Sequence, residues 1–196
     1  AAEVEGERLA SATGGVWISP YNDPEVIAGQ GTVGLEIERQ WGEGQLGGPA
    51  EVYVPVGGGG LAAGIGAALD AFRPGVRVIG VLPEASPYLH RFFHTGSTAG
   101  VVETPTLADG LSGPVEEGSI TFALVRRYVD DMLLVSEDEI RAAMKWAGSR
   151  DMVVEPSAAV ALAASMRLSS GTRMAVLSGA NVDPRLWQEV TGDGGA

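Results

Sequence analysis

A run of four glycines at residues 57–60 constrains this chain more than any other feature, because of what flanks it. The apolar segment 52–56 before it is typical of a buried strand, and the small-residue segment 61–72 after it is typical of a helix. Glycine reaches positive φ and lets a ligand approach the backbone, since no Cβ intervenes. A helix that begins at such a turn offers free N–H groups and the positive end of its dipole. The segment therefore predicts a phosphate-binding site, because four glycines are more than a plain tight turn requires.

The glycines do not identify the phosphate compound. Gly58, Gly60 and Ala63 fit the dinucleotide pattern G-x-G-x-x-A, but this match is weak in a chain with 29 glycines. The next predicted strand, 76–82, runs into Pro83 instead of ending in an acidic residue for a ribose. The P-loop pattern is absent, since no Gly-Lys-Ser/Thr occurs.

Composition excludes several classes of function. The net charge of −12 argues against nucleic acid and anionic membranes as partners, because both need basic patches. The absence of cysteine excludes disulfides and thiolate metal sites. His90 and His94 lie four residues apart without an acidic ligand pattern, so we predict a helix face and no metal site. With no membrane-length apolar run and no signal peptide, the chain is predicted to be cytoplasmic.

Predicted strands alternate with predicted helices along the chain. The strands are 16–19, 52–56, 76–82, 130–135 and 173–177; the helices are 1–12, 61–72, 85–94, 119–128, 140–147 and 158–168, with another inside 25–41 capped by Thr32. Ser136 and Glu139 form a predicted capping box, 42–49 a surface turn, and the chain from Asp183 on is expected to fray. The alternation predicts an α/β fold of three layers, a mainly parallel sheet with helices on both faces. Ligands bind such sheets beyond the carboxyl ends of the strands.

Six blocks of sequence together resemble one enzyme family. They are SPYNDPEVIAGQGT (19–32), VPVGGGGLAAG (54–64), LADG (107–110), YVDDMLLVSEDEI (128–140), VVEPSAAVALAA (153–164) and LSGANVD (177–183). In this order they resemble the threonine/serine dehydratases and serine racemases, fold-type II enzymes that use pyridoxal 5′-phosphate. The resemblance implies the end of a smaller domain and a crossover at 1–19, a larger cofactor-binding domain at 20–185, and a tail at 186–196.

The resemblance also implies roles for individual residues. The cofactor phosphate would be held by Gly57, Gly58, Gly59, Gly60 and the Leu61 amide; Ser178 would bond the pyridine nitrogen, Asn22 would lie beside the ring, and Gly110 and Glu155 would line the ring side of the pocket. From the residues alone, a turn role is favoured for Ser178 and is plausible for Asn22. Glu155 is equally explained as an exposed charge at a helix start.

The chain departs from the family at its catalytic centre. The F-K-x-R-G motif with the Schiff-base lysine and the S-x-G-N-H motif do not occur, and the single lysine, Lys145, is predicted to be a solvated helix residue. We therefore predict no catalytic residue in this chain. The lysine-bearing portion is expected to be cut off, to be a separate chain, or to be lost in a degenerate relative; a helix starting uncapped at Ala1 favours truncation. By the resemblance, Leu82 and Tyr88 stand where serine racemases and some dehydratases carry acidic metal ligands, which favours a dehydratase over a metal-activated racemase.

The predicted function is the phosphate-binding, C-terminal part of a pyridoxal-phosphate-dependent threonine/serine dehydratase, inactive without its lysine-bearing portion. Its implied substrate is L-threonine or L-serine, converted by β-elimination to a 2-oxo acid and ammonia, and its implied assembly is a homodimer. The alternatives are a serine racemase or other hydroxy-amino-acid lyase, or a non-catalytic, degenerate phosphate-ligand module. A nicotinamide-binding domain would leave Ser178 and Asn22 without a role.

Overall fold

The computed structural model of the 196-residue chain describes residues 2–42, 51–167 and 171–192. The strands of this part are β1 Glu51–Pro55, β2 Arg77–Pro83, β3 Asp131–Val135 and β4 Arg173–Ala175. Its α-helices are α1 Ala2–Thr13, α2 Pro24–Gly42, α3 Gly60–Phe72, α4 Tyr88–Thr95, α5 Thr121–Tyr128, α6 Glu137–Gly148, α7 Pro156–Met166 and α8 Pro184–Thr191, and a 3₁₀ turn spans Asp109–Leu111.

The four strands form one parallel sheet in the order β3-β2-β1-β4. β1 lies between two neighbours, and its Tyr53 is in register with Ile79 of β2 and Ala175 of β4. Val52, Tyr53 and Val54 are almost completely buried, as expected for a strand covered on both faces. The carboxyl ends of β1 and β4 therefore meet side by side at one edge of the sheet.

Two separate apolar cores lie on the two faces of the sheet. Val52 and Val54 of β1 pack with Ile65 of α3 on one face, which α2 and α5 complete. Tyr53 points to the other face, where the core includes Ile140 of α6 and most of α7. Because successive strand residues point to opposite faces, both cores draw on the same strands. The predicted three-layer α/β fold is confirmed.

Three predictions of local structure are wrong. Residues 16–19 form no strand, since Val16 and Ile18 are largely exposed and pair with no other strand. α2 does not begin at Thr32 but at Pro24, where the Asp23 carboxylate accepts the N–H groups of Glu25 and Val26.

The third error concerns the end of the chain. Residues 184–191 do not fray but form α8, because Asp183 accepts the N–H groups of Arg185 and Leu186, and Val190 is buried near α6. The predicted surface turn at 42–49 lies, apart from Gly42, outside the described residues. The capping box of Ser136 and Glu139 is confirmed. Across the described ranges, no helix is both long and apolar enough to cross a membrane.

Candidate functional site

The glycine turn, residues 57–60, joins β1 directly to α3 and leaves the start of that helix open. Gly59 takes a left-handed conformation with φ of 90°, and no side chain caps the helix. The N–H groups of the first turn have no partner within a helix, and this turn carries no acidic residue. These donors and the helix dipole together fit an anion such as a phosphate group.

The protein itself explains why these positions are glycine. A Cβ at Gly58 would overlap the ring of Tyr21, and one at Gly60 would lie 2.9 Å from Cα of Tyr21. A Cβ at Gly59 would lie 2.8 Å from Cδ1 of Leu89, and one at Gly57 would lie 3.2 Å from Cα of Leu111. The glycines therefore serve close packing within the protein, and Tyr21 covers part of the turn.

A cleft of about 990 Å³ runs along the carboxyl edge of the sheet from the glycine turn to the end of β4. Its lining includes all of the predicted site residues except Asn22 and Glu155: Gly57, Gly58, Gly59, Gly60, Leu61, Gly110 and Ser178. Because β1 and β4 are neighbours, the glycine turn and Ser178 open onto the same cleft. A phosphate at one end and a ring at the other would fit this arrangement.

Asn22 is engaged by the protein at both ends of its side-chain amide. Its Nδ2 donates to Oε2 of Glu116 at 2.5 Å, and its Oδ1 accepts the N–H of Ile120 at 2.9 Å. These bonds tie the segment before α2 to the loop before α5. The predicted contact of Asn22 with the cofactor ring stays a prediction.

Tyr21 and Glu116 line the cleft and were not singled out from the sequence. The Tyr21 hydroxyl accepts the backbone N–H of Glu116 at 3.0 Å, and the Ser19 hydroxyl donates to the Glu116 carboxylate at 3.0 Å. Burial is the main cause that raises the pKa of Tyr21, so its hydroxyl stays protonated at neutral pH. The sequence around Tyr21, a Tyr-Asn-Asp-Pro stretch, is typical of a loop and gives no sign of the contact with Glu116.

Glu155 contacts the loop that carries Ser178. It is the N-cap residue of α7, its carboxylate accepts the N–H of Asn181 at 3.0 Å, and its own N–H donates to the carbonyl of Gly179 at 3.1 Å. Gly110 sits on the same helix start, because a Cβ there would lie 2.9 Å from Oγ of Ser157. The N-terminus of α7 thus supports the part of the cleft that Gly110 and Ser178 line.

Lys145 lies on α6 and is exposed, as predicted, and it does not line the cleft. Of the two positions compared with metal ligands, Leu82 is buried in the core and Tyr88 begins α4. A search of the described residues for three or more grouped metal-binding side chains finds none. The described lining of the cleft therefore contains no lysine, the residue that covalent chemistry on the cofactor requires.

Residues 1–179 match the model of the pyridoxal-phosphate dependent enzymes, so the chain belongs to that family. The cofactor of this family is pyridoxal phosphate. The sheet and its helices match solved fold-type II members, and the open glycine turn fits the phosphate of that cofactor.

Among individual proteins, the chain is similar to threonine ammonia-lyases. It is 42% identical to the catabolic L-threonine dehydratase of Escherichia coli, over 94% of this chain and 56% of that protein. It is 39% identical to the L-threonine ammonia-lyase of Thermotoga maritima, over 95% of this chain and 46% of that protein. The chain thus spans about half the length of these curated relatives.

Solved structures give the same picture. The threonine deaminase of T.th. superposes with a TM-score of 0.80 at 39% identity, covering 90% of this chain and 65% of that one. A maize serine racemase superposes with a TM-score of 0.82 at 33% identity, covering 95% of this chain and 59% of that one. The predicted family is confirmed.

Proposed function

We propose that this chain supplies the phosphate-binding part of a pyridoxal-phosphate-dependent threonine/serine ammonia-lyase, which converts its amino acid to a 2-oxo acid and ammonia. The observation that carries the proposal is the uncapped glycine turn, which opens onto a cleft with Ser178 at its other end. The relatives named threonine dehydratase and threonine ammonia-lyase support this substrate class.

The roles of the residues follow from their chemistry. When bound, the cofactor supplies an electron sink for a carbanion at the substrate Cα. The N–H groups of the glycine turn and Leu61 would hold its phosphate, and the Ser178 hydroxyl would bond its ring nitrogen. A neutral hydroxyl does not protonate that nitrogen as a carboxylic acid would, so the sink is weaker, which suits loss of a β-hydroxyl.

The lysine that binds the cofactor covalently would come from a portion of protein outside this chain. The support is that Lys145, the single lysine, is exposed on α6 and away from the cleft. We therefore propose that the chain is inactive until it is joined to a lysine-bearing portion.

Binding and turnover test the two halves of this proposal. The chain should bind inorganic phosphate and pyridoxal 5′-phosphate in calorimetric titrations, and should form no 2-oxobutyrate from L-threonine. Joined in one polypeptide to the lysine-bearing portion of the Escherichia coli relative, it should form 2-oxobutyrate. Failure of the wild-type chain to bind either phosphate compound would overturn the proposal, as would turnover by the chain alone.

The maize structure favours a serine racemase as the second candidate. The two readings differ in product, because a racemase converts L-serine to D-serine whereas the lyase releases pyruvate and ammonia. Chiral chromatography of the joined polypeptide with L-serine distinguishes them. Binding of phosphate without any product in the joined form would indicate the degenerate, non-catalytic module.

We also propose that the protein is a homodimer through an apolar groove on the face opposite α7. The groove has a volume of about 650 Å³ between α2, α3 and α5, and Phe72, Leu35 and Ile120 beside it are 61%, 43% and 39% exposed. A second copy would cover this apolar surface. Sedimentation should show a dimer for the wild type and a monomer for Phe72→Glu; a wild-type monomer would contradict the assembly. The cytoplasmic location stays a prediction.

A further inference from the structure

We infer that Glu155 is a positioning residue, which places Ser178 at the ring end of the cleft instead of contacting the cofactor itself. The inference rests on the proposed function, in which Ser178 bonds the ring nitrogen. It differs from the role that the family resemblance implied, since Glu155 is not part of the cleft lining whereas Ser178 is.

Apart from Val182, which packs against the core on the α7 face, the segment around Ser178 has little else to hold it. Leu177, Ser178, Ala180 and Asn181 are exposed, and β4 ends at Ala175. From residue 177 to residue 182, the hydrogen bonds to other parts of the described chain both go to Glu155. The next fixed points are the N–H of Val176, bonded to the carbonyl of Tyr53, and Asp183, which caps α8.

Glu155 holds this segment by two hydrogen bonds, one on each side of Ala180. Its N–H donates to the Gly179 carbonyl at 3.1 Å, and its carboxylate accepts the N–H of Asn181 at 3.0 Å. The fit is close, because a Cβ at Gly179 would overlap the Glu155 carboxylate. Glycine next to Ser178 is therefore what allows the carboxylate to reach across the segment.

Glu155 is held in place by a helix that is buried in the core. Glu155 is the N-cap residue of α7, whose residues from Pro156 to Ser165 are all buried. Because this buried helix fixes the backbone of Glu155, the two hydrogen bonds of Glu155 fix the segment that carries Ser178 relative to the core.

Amide exchange tests these two hydrogen bonds without any ligand. In Glu155→Ala, exchange of the Asn181 amide should accelerate about tenfold or more, because a hydrogen bond to a charged group is lost. In Glu155→Gln, whose side-chain oxygen still accepts a hydrogen bond, it should stay within about threefold of wild type. The Val176 amide should be unchanged in both, which shows that the fold is intact. An unchanged Asn181 amide in Glu155→Ala would overturn the inference.

A double-mutant cycle tests whether Glu155 acts through Ser178. Glu155→Ala and Ser178→Ala should each weaken the affinity for pyridoxal 5′-phosphate about tenfold and leave the affinity for inorganic phosphate within about twofold of wild type. The double variant should lose no more affinity for pyridoxal 5′-phosphate than either single variant. Glu155→Gln should restore binding to near the wild-type affinity. Additive losses of about a hundredfold would show that Glu155 contacts the ligand independently and would overturn the inference. If the wild type binds neither compound, the proposed function fails, while the exchange experiment still decides whether Glu155 holds the segment.

Discussion

Two loops at the same edge of the sheet are built in opposite ways. The glycine turn after β1 is buried or half-buried, and Tyr21, Leu89 and Leu111 press on it from different sides. The loop after β4 is mostly exposed, and the two hydrogen bonds that residues 177–182 make to other parts of the described chain are both with Glu155. One end of the cleft is thus fixed by local backbone shape and packing, and the other by one carboxylate distant in sequence.

The largest effect on stability should come from adding a side chain to the glycine turn. Gly59→Ala combines a left-handed backbone with contact to Leu89 and should lower the free energy of unfolding by about 3 kcal/mol. Gly75 has φ of 100° but nothing within 4 Å of an added Cβ, so Gly75→Ala is the matched control and should cost about 1 kcal/mol. Urea unfolding measures both; equal losses would mean that packing around the turn contributes nothing.

A second change tests whether Gly58 is required for packing against Tyr21. Gly58→Ala should cost about 2 kcal/mol, because the new methyl group displaces the Tyr21 ring. In a Tyr21→Ala background, the same change should cost less than about 1 kcal/mol, since the obstructing ring is gone. The coupling comes from the four unfolding free energies, and purely additive values would contradict the packing explanation.

Glu139, which lies away from the cleft, shows what one carboxylate contributes to the stability of the fold. Hydrogen bonds from Arg167, the largest cause, lower the pKa of Glu139 from 4.5 to about 2. A lowered folded-state pKa stabilises the protein above pH 4.5, and that contribution is lost as the pH falls toward 2.

The free energy of unfolding of the wild type should therefore exceed that of Glu139→Gln by about 1 kcal/mol at pH 6, a value reduced for solvent screening. The difference should disappear near pH 2. Glu189→Gln, which breaks an exposed ion pair with Arg141, is the control and should show a difference near zero at both pH values. Unfolding free energies across this range check the prediction, and a gap that widened in acid would refute it.

The smallest effect is expected at Lys145. It is exposed on α6, so Lys145→Ala should change the free energy of unfolding by less than about 0.5 kcal/mol. Affinity for pyridoxal 5′-phosphate and the absorption spectrum of the mixture should also match wild type. A lost absorption band in Lys145→Ala would show that this lysine does bind the cofactor.

The parts of the fold that depend on neighbouring residues were predictable from sequence. The β1–turn–α3 unit carries its own signals, and the capping box of Ser136 and Glu139 is a local pattern. The misplaced start of α2 and the missed helix α8 share one cause, because Asp23-Pro24 and Asp183-Pro184 are both local signals of a helix cap and first turn.

The parts of the site that depend on tertiary contact were not predictable. Tyr21 and Glu116 meet the cleft only because the segment before α2 crosses the glycine turn, nearly a hundred residues before the loop that it bonds. Likewise, no local pattern links Glu155 to Asn181. The family resemblance found Glu155, and the structure supplied what it touches.

α7 has a further consequence for how such a chain can vary. Its residues from Pro156 to Ser165 have no solvent-facing side, and most of them are alanine or similarly small. An added methyl group anywhere along this helix must push it away from the sheet or from α6, and Glu155 at its tip would move with it. Substitutions deep in the interior would then shift the loop at the far rim of the cleft, so the size of these buried side chains and the shape of the cleft cannot vary independently.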